Sequence, residues 1–365
     1  MKIKEIIQCL EEFAAPELQE NYDNSGMLTG NALWDCTGVL CTLDVTIEII
    51  EEAIAKKCNL IVAHHPVIFK ELKSLTGIND TEKILIEAIK SNMAIYAAHT
   101  NMDNVVSGVN AKIAEKLGLR DLKILDPKPK LLRKLITFAP KNKADQVRKA
   151  LFDAGAGSIG KYAECSFNSE GIGTFTAEAG ADPYLGEVGK NHLEKEIKIE
   201  IVYPAYLERQ IVKALVAHHP YEEVAYDLFT MNNIHFGIGA GIIGTLDPPL
   251  SEEAVLHKLK TSFGTGVIKH SALSGDNIKK VALCGGSGSF LIDKAINAGA
   301  DIFVTSEVKY HEFFMAQRKI VIADIGHYET EQYTAELFQG ILLKKFPTFA
   351  VLKTEVNTNP IKYFT

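Results

Sequence analysis

The sequence predicts an α/β protein, with mainly parallel sheets covered by helices and interrupted by an inserted ferredoxin-like α+β domain. Three observations predict it. Short apolar strands alternate with helical repeats in the first third of the chain, and the same alternation returns in the last third. Between them, after Pro127-Lys128-Pro129-Lys130, the pattern becomes richer in strands. Strands without a polar face are buried on both sides, as in a parallel sheet under helices.

The elements follow in order. Ile6, Leu10 and Phe13 have helical spacing near the N-terminus. A strand is predicted at 39–43, then a helix at 46–57 through Ile47, Ile50 and Ile54. Residues 60–63 form a buried strand, 81–90 a helix and 94–98 another strand. In the middle, 134–138 is a strand and 144–154 a helix. Residues 162–167 and 173–177 form a strand pair, 196–202 a strand, 206–217 a helix and 224–229 a strand. That β-α-β-β-α-β order suggests the ferredoxin-like module. In the last third, 280–284, 301–305 and 320–323 are strands, 290–298 and 328–345 helices, and 349–352 a final strand. The expected boundaries are therefore 1–129 and 236–365 for two lobes of one core, with 130–235 inserted between them.

Composition narrows the function. With 365 residues, 47% hydrophobic and 23% charged, the chain can bury more than one core. A net charge of -7 and the lack of a Lys/Arg-rich run give no nucleic-acid signal. No apolar run approaches the roughly 18 residues of a membrane span. The basic start resembles a secretion signal superficially, but Glu11-Glu12 and the helical spacing favour an amphipathic helix, so a cytoplasmic protein is expected. The six scattered cysteines contain no C-x-x-C pair and read as reduced thiols.

Three clusters carry the chemistry. His64-His65 follows the strand 60–63, His99 to Asp103 follows 94–98, and His327 to Glu331 follows 320–323. In a parallel α/β sheet the carboxyl ends of the strands share one edge, where ligands bind. Imidazoles with carboxylates suit zinc, iron, manganese or cobalt, whereas calcium and magnesium prefer oxygen alone. His327 and Glu331 lie one helical turn apart, and adjacent His64 and His65 point to opposite sides of an extended backbone. Glu331 is expected to bridge two divalent ions, with His65 and Asp103 on one and His64 and His327 on the other. Two ions with a bound water form a common hydrolytic arrangement.

The segments Asn21–Gly26, Ala63–Pro66, His99–Asp103, Cys284–Ser289, Asp301–Thr305 with Tyr310-His311, and Gly326–Glu331 resemble those of the Nif-three-like family, also described as GTP cyclohydrolase 1 type 2 homologues. The resemblance runs in family order over nearly the whole chain. It implies a dinuclear metal site at His64, His65, Asp103, His327 and Glu331, a toroidal homohexamer, and a PII-like or CutA-like insert at 130–235. Thr305-Ser306-Glu307 departs from the family's Thr-Gly-Glu/Asp, which bears on Glu307 and His311 but on none of the five ligands. Two functions are expected to compete. One is a metal-dependent hydrolase acting through a metal-bridged water on a nucleotide-like, phosphoester or cyclic-amide substrate. The other is a non-catalytic metal-bound scaffold, chaperone or regulator. Gly285 to Gly288 reads as a tight turn or a phosphate cradle, and His218-His219 as a loop that mimics the true pair.

Overall fold

The computed structural model describes residues 1–364. The first segment carries strands β1 (Gly26–Thr29), β2 (Val39–Thr42), β3 (Leu60–Ala63), β4 (Ala94–Ala97) and β5 (Arg120–Pro127). The middle carries β6 (Leu132–Pro140), β7 (Ser166–Thr176), β8 (Asn191–Pro204) and β9 (Tyr226–Thr230). The last carries β10 (Gly239–Ser251), β11 (Lys269–His270), β12 (Asn277–Ser287), β13 (Ile302–Ser306), β14 (Val321–Asp324) and β15 (Val351–Lys353).

These strands form three sheets. The first, β1-β4-β3-β2-β15, is parallel except at β1. Its central residues Leu40, Ile61 and Ile95 stand side by side in register and are fully buried. Helices Ile47–Ala55 and Asp80–Lys90 cover it, packing Ile49, Ile50, Ile84 and Ala88 into the same core. Both helices start where a side chain accepts an otherwise unpaired backbone N–H, at Thr46 from Ile49 and at Asn79 from Glu82.

The second sheet runs β11-β14-β13-β12-β10-β5. Its parallel part is β12, β13 and β14; β5, β10 and β11 join antiparallel. The sequence reading found the parallel strands and passed over β5 and β10, whose Gly, Pro and charged residues break the apolar run. Phe303, Ile322, Ala282 and Leu291 fill the core beneath the helix Ile292–Asn297.

Two compact units result, residues 1–127 with 237 onward, and Lys128–Phe236. The second unit has the order β-α-β-β-α-β, with sheet order β7-β8-β6-β9, all antiparallel. Residues 162–167 and 173–177, read as a strand pair, lie instead around one long strand, β7, whose partner is β8. Gly171 and Gly173 look like a turn in sequence, but the ladder to β8 runs straight through them. The expected helix at 328–345 is also divided, into His327–Glu331 and Thr334–Lys345. Among the described residues no helix is long and apolar enough to cross a membrane. All six cysteines are free thiols.

Candidate metal centre

The first unit brings His64, His65, Asp103, His327 and Glu331 together. His64 and His65 leave the carboxyl end of β3, and the backbone N–H groups of both donate to the Leu43 carbonyl, just beyond β2. Beyond β4, Ala98 N–H donates to Ala63 O, and one helical turn, Thr100–Asp103, delivers Asp103. His327 and Glu331 come from the other sheet. After β14 the chain turns at Gly326, whose φ of 100° suits glycine, into the short helix His327–Glu331. The site thus lies where the carboxyl ends of two separate sheets meet, rather than along one edge.

Glu331 is central and almost fully buried. Its Oε2 is 3.0 Å from His65 Nε2 and 3.0 Å from His327 Nε2. Its Oε1 lies 3.8 Å from His64 Nε2, which is 3.6 Å from Asp103 Oδ1. The residues form two donor groups, His65-His327-Glu331 and His64-Asp103-Glu331. This corrects the expected pairing, which placed His65 with Asp103 and His64 with His327. Consecutive residues of an extended backbone point to opposite sides. His64 turns toward the neighbouring β4 loop and so meets Asp103, while His65 turns toward the second sheet and meets His327.

Every imidazole is oriented through Nδ1. His64 Nδ1–H donates to the Ala98 carbonyl (2.9 Å), His65 to Asp44 (2.7 Å), His327 to Glu307 (2.9 Å) and His99 to Asp23 (2.7 Å). Such outer partners fix the tautomer and leave Nε2 as the ligating atom. His99, outside the five, has a ligand atom within 4.8 Å of those of His64 and His65. Asp44 is itself held, since its other oxygen accepts from the Thr358 hydroxyl at 2.6 Å. Sequence reasoning gave Asp23 a place bordering the cavity or, more simply, in the turn before Gly26, and passed over Asp44 and Thr358. Asp44 had a signal, an acid one residue beyond a strand at the carboxyl edge; Thr358 had none.

The electrostatics match a cation site. Burial works against charge on His65, but Asp44 and Glu331 outweigh it and push its pKa up to about 10. At His327 burial is likewise outweighed by Glu331 and Glu307, and the pKa is pushed up to about 9. Burial pushes Glu331 toward neutrality, but the surrounding imidazoles hold it well below the usual carboxylate range. Asp103 moves the other way, raised by burial and by the nearby Glu331 charge. Most telling, His64 Nε2 and Asp103 Oδ1 are buried and have no hydrogen-bond partner. Facing buried donor atoms without partners are costly unless something binds between them.

The wall opposite Glu331 is the glycine turn 285–288. Gly286 has φ of 59°, and a Cβ there would stand 2.4 Å from Glu331 Oε1. Its amide donates to Thr330 Oγ1, that of Gly285 to Asn110 Oδ1 and that of Gly288 to Thr305 Oγ1. These amides are spent within the protein, which favours the tight turn over a phosphate cradle. Ser306 fastens the same turn by donating its hydroxyl to Gly286 O at 2.6 Å. Glu307 follows with φ of 56° and still reaches His327. His219 is occupied elsewhere, its Nε2 at 3.0 Å from Phe138 O and its Nδ1 accepting from Tyr221 N–H.

The sequence model described as Duf34/NIF3 (NGG1p interacting factor 3) matches residues 1–360. The chain belongs to the Duf34/NIF3 family. It is 36% identical over 366 aligned residues to a Bacillus subtilis protein named GTP cyclohydrolase 1 type 2 homolog, covering 99% of this chain and 98% of the relative. A Halalkalibacterium halodurans protein of the same name is 37% identical, with 98% of each chain covered. Among solved structures, a Bacillus cereus protein related to NIF3 superposes with a TM-score of 0.86 at 35% identity, covering 100% of this chain and 99% of that one. The Duf34/NIF3 fold of this chain therefore includes His/Glu clusters able to hold a metal ion.

Proposed function

We propose that this chain is a dinuclear metal-dependent hydrolase. The observation that carries the reading is the pair of donor groups sharing Glu331, with His64 Nε2 and Asp103 Oδ1 of the second group buried and without hydrogen-bond partners. His65, His327 and Glu331 Oε2 would hold one divalent ion, and His64, Asp103 and Glu331 Oε1 the other. Bound there, zinc, iron, manganese or cobalt would supply Lewis acidity and water acidified toward neutral pH.

The chain's own residues do the rest. Asp44, Glu307 and the Ala98 carbonyl keep three imidazoles aimed inward. His99, held by Asp23 and edge-on to both His64 and His65, is placed to move a proton at Nε2. Glu329 accepts at Oε1 from Tyr363 OH and Asn359 Nδ2, while its Oε2 is buried without a partner and packed over Gly326. The substrate class in this reading is a nucleotide-like, phosphoester or cyclic-amide compound, in keeping with the relatives' name. In the same reading the chain works as a homohexamer. Exposed Tyr310 and Phe314, packed edge to face on one short helical segment, supply apolar surface for self-association. Light scattering tests the assembly, with six chain masses expected.

The functional test is a turnover screen of the metal-reconstituted protein against nucleotides, phosphoesters and cyclic amides. Turnover that disappears in His65→Ala while assembly survives is expected. Two bound ions with no turnover across the panel would replace the enzyme by the scaffold reading.

A further inference from the structure

We infer that the unit Lys128–Phe236 carries its own binding site, for a small organic cation with a planar aromatic body. The site is a cavity of about 710 Å³ formed wholly within that unit. Its place follows from the sheet. Ile199, Ile201 and Tyr203 of β8 point into the core beneath the helices Ala144–Asp153 and Glu208–His218. Side chains alternate along a strand, so Glu196 and Lys198 point to the opposite face. Gly171 stands directly across from Glu196, and Phe138 directly across from Lys198, and all four line the cavity.

The lining has three parts, each with a chemical preference. Gly171 and Gly173 leave a stretch of β7 without side chains, a flat floor of bare backbone. A Cβ on Gly171 would meet nothing within 4 Å, so the space above it is open. Phe138, Phe175, Tyr184 and Tyr221 supply aromatic walls, with Tyr221 6.3 Å from the rings of both Phe175 and Tyr184. Such walls accept a flat ring and attract a cation over their faces.

The third part sets the charge. Five glutamates and a single lysine line the cavity. The lysine, Lys198, is paired at 2.6 Å with Glu200, outside the lining. Glu170 is paired with Lys141, and Glu222 accepts the Asp182 amide. Glu196 is the anchor. Its Oε1 accepts from Tyr221 OH at 2.7 Å, and its Oε2 lies over Gly173, only 2.1 Å from where a Cβ would be. A carboxylate fixed by an aromatic hydroxyl, over a flat floor and beside aromatic rings, suits an ammonium group attached to a planar ring. The same lining repels anions, so a phosphorylated ligand is a poor match.

The test uses three indole probes of similar shape on the full-length protein, by isothermal titration calorimetry: tryptamine (cation), tryptophol (neutral) and indole-3-acetate (anion). Tryptamine is expected to bind saturably at one site per chain and indole-3-acetate not at all, with tryptophol weaker than tryptamine. Glu196→Gln keeps the shape and the Tyr221 hydrogen bond, and should weaken tryptamine about tenfold, the loss of one charged contact. Gly171→Leu fills open space above the floor and should abolish binding, with an unchanged circular dichroism spectrum. Failure of tryptamine to bind, equal binding of the anion, or indifference to both substitutions would overturn the inference.

Discussion

At the residue scale, an outer partner holds each candidate imidazole ligand at Nδ1. Asp44 accepts the His65 Nδ1 proton and is itself fixed by Thr358. Asp44→Ala should lower metal affinity about 10- to 100-fold, the usual cost of losing an outer partner. Thr358→Val should give a smaller loss in the same direction, because it loosens Asp44 without removing it. Competitive titration with a chelating dye measures both. Protons compete with metal at these imidazoles. The pKa values of His65 and His327 are raised to about 10 and about 9, so the metal-free chain holds protons there at neutral pH that a cation must displace. Affinity should therefore rise with pH up to that range. Calorimetry near neutral pH in buffers of different ionisation enthalpy should show net proton release, and its absence would contradict the assignment. Stability of the metal-free form has the opposite sign. A raised histidine pKa contributes fully below the unfolded value and is lost as pH rises through about 9 to 10.

At the element scale the site depends on strand ends, and most of these were legible. Residues 60–63 and 94–98 announce buried strands because every side chain is apolar, and the histidines follow at once. Pairing of the ligands was not legible, since it depends on which loop each face of β3 meets, and that is decided between two sheets. Asp23 was invisible as a partner of His99 because the contact spans 76 positions. The break after Glu331 was likewise hidden, since residues 328–345 read as one uninterrupted helix. Two substitutions probe this level. Gly286→Ala combines a left-handed φ with a Cβ driven against Glu331, and should cost about 1–3 kcal/mol of stability together with metal loss. Ile61→Ala, in the middle of the first sheet, should cost about 2–5 kcal/mol while leaving the ligands in place. Chemical denaturation with metal analysis separates the two.

At the scale of the whole molecule, one unit interrupts the other at a hairpin. Pro127 at the end of β5 pairs with Gly239 at the start of β10, so the chain leaves and returns at neighbouring points. Replacing residues 128–236 by a short turn should therefore preserve the first unit and its metal binding. Circular dichroism and metal analysis of that shortened chain test the point, and an unfolded product would contradict it. The apolar patterning made the alternation of elements readable in both lobes. The long antiparallel strands that frame the insertion were not readable, because their polar and glycine-rich stretches look like loop until they pair. The proposed two-ion site rests on Glu331, which belongs to both donor groups. Its most direct test is metal content by inductively coupled plasma mass spectrometry after reconstitution, for the parent chain and for Glu331→Gln. Two ions per chain in the parent and fewer than one in the variant are expected; fewer than one in the parent, or two retained in the variant, would contradict the claim.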